Sequence, residues 1–261
     1  MSGVFNLGDP VLLVYSQRHK WIKHISDEKF HCNYGTYDLM ELVGAPYGTK
    51  IESSKEVFLI AYPPTIIDWI NVAFKHQSQI IYEKDAAMIT LLLDIKNGDI
   101  IYETGTGSGS LTAIMSRYVG KDGKIITHDN REKAIEVAKK NLGMLNVENV
   151  VFNYRDVIEE GFVDGDADAI VLDMGDPWRV IDKCPAVLKA GGKIVVFLPT
   201  FDQMGRTVDK LKEFNFSNIK AIELLEREIQ LKTGAIRPST RMIGHTGFLI
   251  SAFYRGSTQI R

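Results

Sequence analysis

The sequence predicts an α/β protein, a doubly wound parallel sheet covered by helices and preceded by a small β-rich domain. Three observations carry that expectation. From Asp85 onward short apolar runs alternate with runs of helical spacing, the rhythm of βαβ units. Three glycines, Gly105, Gly107 and Gly109, stand between one such strand and the helix that follows. Before Pro63-Pro64 the chain reads differently, as short alternating runs separated by turn-like Gly and Asp.

The early runs are Val11-Leu-Leu-Val-Tyr15, Trp21-Ile-Lys-His-Ile25 and Val57-Phe-Leu-Ile-Ala-Tyr62, which read as strands of a domain spanning 1–65. Pro63-Pro64 breaks the pattern, and Thr65 to Ala73 has helical spacing, so a second domain is assigned to 66–261. Within it the spacing predicts helices over 85–95, 109–119, 131–142, 179–189 and 203–213. Strands are predicted over 99–103, 124–128, 149–154, 168–173 and 193–198. The last two runs, 218–225 and 244–254, have no helical pattern between them and are free to pair antiparallel. No internal repeat or low-complexity segment is present.

The formal charge of −2 means that a nucleic-acid partner would be held by a local basic patch and not by a global field. Cys32 and Cys184 lie outside any C-x-x-C spacing, which predicts free thiols, with neither a disulfide framework nor a metal site. The first residues lack a basic segment followed by an apolar core, and the most apolar window, Ala86 to Ile95, is too short to span a bilayer. A cytoplasmic protein without a membrane partner is expected.

Chemistry concentrates in Glu103-Thr-Gly105-Thr106-Gly107-Ser108-Gly109-Ser110-Leu111. Glycines without Cβ let a turn take positive φ and bring main-chain N–H groups at a helix start close to a ligand. Ser110 stands where the third glycine of G-x-G-x-x-G would fall, which weakens a nicotinamide reading. The acidic start and the glycine ladder resemble the cofactor loop of doubly wound S-adenosyl-L-methionine methyltransferases. In an open parallel sheet, ligands bind beyond the carboxyl ends of the strands. The residues there are Glu103, Asp129, Asp156 and Asp173, four carboxylates predicted to converge on one crevice. Any single one could be a helix cap or turn former.

Asp129 lies 20 residues beyond Gly109, the separation at which an acid accepts hydrogen bonds from ribose hydroxyls. Arg131 either pairs with it, closes over the cofactor, or is solvated in a first helical turn. Asp156 is placed to accept an adenine amino group while Val157 packs on the ring. Asp173 ends one strand and begins Asp173-Met-Gly-Asp176-Pro177-Trp178, where Asp176 is predicted to cap a helix starting at Pro177. That leaves Asp173 and Trp178 for other work.

Four stretches together resemble the tRNA (adenine-N1)-methyltransferases, which act on the T-loop adenine at position 58 and in some archaeal members also 57. They are Gln79-Ile-Ile-Tyr82-Glu-Lys84-Asp85, the loop 103–110, Leu172-Asp173 to Pro177-Trp178, and Arg237-Pro238-x-x-Arg241-Met242-x-Gly244-His245-Thr246-Gly247-Phe248. Gly8 to Val14, Phe30 to Gly35 and Glu41 to Gly44 resemble that family's small β domain. The resemblance implies a seven-stranded Rossmann-like sheet with the last strand antiparallel, S-adenosyl-L-methionine as cofactor at the residues named above, tRNA as substrate, and a homotetramer. It assigns Asp173 to catalysis and offers Tyr82 and Trp178 as faces for the extracted base. His245 would sit in the substrate pocket, and Arg237 and Arg241, with Arg18, Lys20 and Lys23, would meet phosphates. Glu83 departs from the proline usual in the family, and Asp129 from the commoner glutamate.

Three rivals stand beside this reading. A protein isoaspartate O-methyltransferase would share the glycine loop but not the 173–178 turn or the 237–248 run. An amino-adenine methyltransferase with an Asp-Pro-Pro-aromatic turn would need a second proline, and Trp178 follows Pro177 directly. A non-catalytic tRNA-binding subunit should have lost the glycine loop or Asp173, and both are intact.

Overall fold

The structure, a computed structural model, describes residues 3–76 and 80–256. Gln79, which heads one of the diagnostic runs, lies outside the described residues. The chain forms two compact units, Met1–Phe74 and Lys75–Arg261.

In the first unit β1 (Pro10–Ser16) and β2 (His19–His24) form an antiparallel pair, followed by the short hairpin β3 (Phe30–Cys32) and β4 (Gly35–Tyr37). The strands β5 (Lys50–Glu52) and β6 (Phe58–Tyr62) complete a four-stranded sheet in the order β2-β1-β6-β5. Phe5, Val11, Leu13, Tyr37 and Leu59 fill its core. A helical turn, α1 (Ile66–Asp68), continues as a wider turn through Ala73. It starts where Thr65 and Asp68 cap each other reciprocally, Asp68 N donating to Thr65 Oγ1 at 3.2 Å and Thr65 N to Asp68 Oδ2 at 3.0 Å. Trp69 packs near the His24 ring of β2, and Lys20 of β2 reaches Asp68 at 3.8 Å. The sequence places the boundary after residue 65; these contacts put the turn with the first unit.

The second unit opens with α2 (Glu83–Leu93), which stops at Asp94 in the left-handed region, φ 53°. Then follow β7 (Ile100–Thr104), α3 (Ser110–Val119), β8 (Lys124–Asp129), α4 (Glu132–Gly143), β9 (Val150–Tyr154), the single turn α5 (Val157–Glu160) and β10 (Ala167–Leu172). The predicted helix over 179–189 is absent. Two 3₁₀ turns, Pro177–Arg179 and Ile181–Ala186, stand there instead. Pro185 interrupts the second with a residue that cannot donate a backbone hydrogen bond. The freed residues extend β11 (Leu188–Leu198) well before its predicted start. After α6 (Phe201–Glu213) and β12 (Phe216–Glu223) comes a small ribbon, β13 (Ile229–Gln230) with β14 (Arg237–Pro238), for which the sequence showed no pattern, and finally β15 (Phe248–Tyr254).

Among the described residues the main sheet has seven strands in the order β12-β15-β11-β10-β7-β8-β9. β11, β10, β7, β8 and β9 are mutually parallel, and β15 runs antiparallel to both its neighbours. This is the Rossmann-like sheet with an antiparallel last strand that the sequence leads one to expect. The central strands are apolar at consecutive positions because both faces are covered. Ile170, Leu172, Ile194 and Val196 pack with Leu211 of α6, while Val171 and Val195 pack with Ile89 of α2 and Met115 of α3. Each such fully buried aliphatic side chain contributes about 1.5–3 kcal/mol, so the strand ends rest on a stiff base.

Candidate active site

At the carboxyl ends of β7, β8, β9, β10 and β11 lies a cavity of about 560 Å³. Its position follows from topology, since β7 has β10 on one side and β8 on the other, and helices leave the sheet in opposite directions there. The loop 104–111 forms its floor, and Asp129, Asp156 and Asp173 all line it.

The glycine ladder is explained more by the protein's own packing than by approach to a ligand. Gly105 has φ +83°, and a Cβ there would lie 1.8 Å from the carbonyl oxygen of Asp173. Gly109 has φ +78°, and its Cβ would lie 2.5 Å from Leu142 Cδ1 of α4. One glycine therefore lets β7 and β10 end side by side, and the other lets α3 start against α4. Gly107 donates its N–H to Asp129 Oδ2 at 3.0 Å, and Thr106, Ser108, Ser110 and Leu111 line the cavity with it.

Glu103 is not in the crevice. The strand runs through Thr104, one residue further than predicted, and on this strand the face that Glu103 shares is covered by α3. It is 1% exposed, and Thr112 Oγ1 donates to its Oε2 at 2.6 Å. Burial pushes its carboxyl up to about 8, against the Thr112 and Thr127 hydroxyls. Thr104 lines the cavity in its place, and its buried Oγ1 has no protein partner. Behind this wall His128 Nδ1–H donates to the Glu103 carbonyl at 3.0 Å, and burial lowers the ring's pKa to about 4.

Asp129 closes β8 and is paired with Arg131, Nε to Oδ1 and Nη2 to Oδ2 at 3.0 Å each. Asp156 caps α5 by accepting from Ile158 N at 2.9 Å, and Asn130 Nδ2 donates to it at 3.1 Å. That amide, first, and the cap N–H hold its carboxyl below the usual range. Val157 lines the cavity beside it. Asp173 follows β10, its N–H on the Thr104 carbonyl at 3.0 Å. The residue is partly exposed and lines the cavity, and burial pushes its carboxyl up to about 7 despite the nearby Arg131 guanidinium. Two unlike carboxyls thus line one cavity, Asp173 near neutrality and Asp156 held ionised.

Tyr82, Trp178, Arg237, Arg241 and His245 are not among the residues that line it, whereas Asp176 is. Tyr82 is the N-cap residue of α2, half-buried; Ile80 and Ile81 form the wall there. Trp178 packs against α6 with the Arg206 guanidinium 5.2 Å over its ring. Asp176 makes no side-chain cap hydrogen bond, because the segment after it is a 3₁₀ turn and not the predicted helix. Arg237 and Arg241 are exposed on and after the ribbon. His245 bridges Glu223 Oε1 at 2.7 Å and the Pro199 carbonyl at 2.8 Å. Facing two acceptors, its ring satisfies both only when protonated, and the Glu223 carboxylate raises its pKa.

Sequence reasoning missed Phe197, Pro199, Gln203 and Thr246, which also line the cavity. Phe197 and Pro199 stand at the end of β11 and were findable by reading every strand end, not only the acidic ones. Thr246 lies within the quoted 237–248 run, where His245 drew attention. Gln203, whose Nε2 donates to the Gly175 carbonyl at 2.9 Å, carries no sequence signal.

Comparison with known proteins bears on this geometry. Residues 56–240 match the family described as the tRNA methyltransferase complex GCD14 subunit. The tRNA (adenine(57)-N(1)/adenine(58)-N(1))-methyltransferase TrmI of Methanocaldococcus jannaschii is 34% identical over 92% of this chain and 93% of its own. A SAM-dependent O-methyltransferase from Thermotoga maritima superposes with a TM-score of 0.88 at 34% identity, covering 98% of this chain and 96% of that one. The tRNA (m1A58) methyltransferase TrmI of Aquifex aeolicus superposes with a TM-score of 0.81 at 28% identity, covering 96% and 98%.

Proposed function

The chain belongs to the GCD14 family of tRNA methyltransferases, and from that premise we propose that it transfers a methyl group from S-adenosyl-L-methionine to N1 of an adenine in the T-loop of tRNA. The position is 58, with 57 as a further target. The observation that carries the reading is the placement of Asp173 at the end of β10, beside the glycine loop and in one cavity with Asp129 and Asp156.

The residues present suit the cofactor. Three carboxylates line a cavity that would hold a cation, and Val157 and Leu111 offer apolar surface beside them. When bound, S-adenosyl-L-methionine supplies an electrophilic methyl group on a cationic sulfonium. In this reading Asp129 takes the ribose hydroxyls once the exposed Arg131 side chain swings off its carboxylate, Asp156 takes the adenine amino group, and the loop 105–111 the rest of the nucleoside.

N1 of neutral adenine carries its own lone pair, so no proton has to leave it before attack. The protein's task is to position the base and to accommodate a cationic product. We assign both to Asp173, which as a carboxylate accepts from the N6 amino group and places negative charge beside the ring. Tyr82 flanks the entrance to α2 and Phe197 lines the cavity, and either offers a face to the base. Trp178, Arg237, Arg241 and His245 contribute from outside the cavity if they meet the RNA.

We further read the working form as a homotetramer in the cytoplasm. Exposed Leu225, Ile229, Leu231 and Ile236 around the ribbon support an assembly. Among the described residues no helix is long and apolar enough to cross a membrane.

The O-methyltransferase description of the Thermotoga relative supports a second reading, methylation of a carboxyl such as an isoaspartyl side chain. Labelled cofactor is offered with unmodified tRNA transcripts and, separately, with an isoaspartyl peptide, and reverse-transcription stops map the product. Stops at 58, or at 57 and 58, are expected; label on the peptide and none on tRNA would reverse the assignment.

A further inference from the structure

Lys84, Asp85 and Thr246 make a closed polar triad that the reaction as described does not use. Asp85 is 0% exposed. Lys84 Nζ donates to Asp85 Oδ1 and Oδ2 at 2.8 Å each and to Thr246 Oγ1 at 2.6 Å. The Thr246 hydroxyl in turn donates to Asp85 Oδ2 at 2.7 Å. All of the ammonium donors and the hydroxyl proton are therefore spent inside the triad.

The triad joins segments 161 residues apart, the first turn of α2 and the strand lead-in before β15. A buried ion pair gives little net stability over apolar packing of the same volume, so the consequence of this one is geometric. Thr246 lines the cavity, and so do Ile80 and Ile81 just before α2. The sheet order sets which part of the cavity this is. Asp129 and Asp156 stand beyond β8 and β9 at one end, Asp173 beyond β10 in the middle, and Thr246 leads into β15 at the other end.

We propose that Lys84, Asp85 and Thr246 form a positioning element that sets the wall of the cavity on the side where the acceptor base enters. The proposal rests on the functional reading above. Opposite the nucleoside acids, this wall is what the acceptor base meets while its N1 is held against the methyl group. The Thr246 hydroxyl is the polar link between the first turn of α2 and the lead-in to β15, and its loss removes that link without emptying space.

Thr246→Val keeps the volume and removes the hydroxyl; Thr246→Ser restores it. For Thr246→Val, kcat/KM for tRNA is expected to fall about tenfold, while the cofactor Kd by calorimetry moves less than about twofold, and Thr246→Ser recovers wild-type turnover. A lower Tm with kcat and KM unchanged would make the triad merely structural and overturn the proposal. A cofactor Kd weakened in step with turnover would also overturn it, moving the triad to cofactor binding. Wild-type enzyme run alongside separates the two levels. If it fails on tRNA, the functional reading falls and the proposal with it; if it turns over and Thr246→Val matches it, the positioning role alone falls.

Discussion

Arg131 occupies both oxygens of the Asp129 carboxylate, Nε on Oδ1 and Nη2 on Oδ2, while the main-chain N–H groups of Arg131 and Gly107 take one oxygen each. With two donors on each oxygen, the carboxylate has no free site for a ribose hydroxyl. The Arg131 side chain is 55% exposed and free to swing out, whereas the two main-chain donors are fixed. Arg131→Met should therefore tighten S-adenosyl-L-methionine binding about threefold, the scale of an exposed ion pair. Isothermal calorimetry checks this; weaker binding would make Arg131 a cofactor ligand.

Asp173→Asn keeps an acceptor for the N6 amino group and removes the charge. If the carboxylate balances a cationic product, kcat falls by about 10²–10³, roughly 3–4 kcal/mol, with the cofactor Kd retained. Single-turnover methylation of a tRNA transcript reads the loss, and near wild-type rates would remove Asp173 from catalysis.

The same group sets a pH dependence. Burial raises the Asp173 carboxyl from its ordinary 3.8 to about 7. Turnover needs the ionised form, so kcat/KM for tRNA should rise with pH through about 7 and then level. Stability runs the opposite way. Between about pH 4 and 7 the folded protein holds a proton that the unfolded chain has lost, so Asp173 costs stability as pH rises through that window. Asp173→Asn should then gain Tm over wild type increasingly from pH 4 to 7 and by a constant amount above, measured by calorimetric scans.

Trp178 lies under Arg206 and outside the cavity. Trp178→Ala should destabilise the fold by about 2–4 kcal/mol through lost packing on α6, with KM for tRNA in the folded enzyme unchanged. Chemical denaturation paired with steady-state kinetics separates the two, and a raised KM at unchanged stability would return Trp178 to the substrate.

Gly105→Ala tests the floor. At φ +83° the left-handed backbone costs a Cβ-bearing residue about 1–2 kcal/mol, and the Cβ would lie 1.8 Å from the Asp173 carbonyl oxygen. Loss of folded protein, or displacement of Asp173 with loss of turnover, is expected on circular dichroism and methylation assays; full activity would show that the two strand ends can part.

How much of this protein was legible in the sequence depends on the range of the forces involved. Strands 100–104, 124–129 and 167–172 and helices 110–119 and 132–143 follow from local apolar periodicity, and their boundaries fell within a residue or two of expectation. So did the placement of Asp129, Asp156 and Asp173 on one cavity, because a parallel sheet aligns the carboxyl ends of its strands. Local pattern failed where a proline overrode helical spacing, at Pro185, and where it did not show which face of a strand end a helix covers, at Glu103. The sequence by itself thus determined the fold class, the crevice and its acids. Only the tertiary structure decided that Glu103 is sealed beneath α3, that Arg131 saturates Asp129, and that Lys84, Asp85 and Thr246 close on one another. Those are contacts between side chains distant in sequence or turned by one step of the pleat, and neither periodicity nor spacing encodes their orientation.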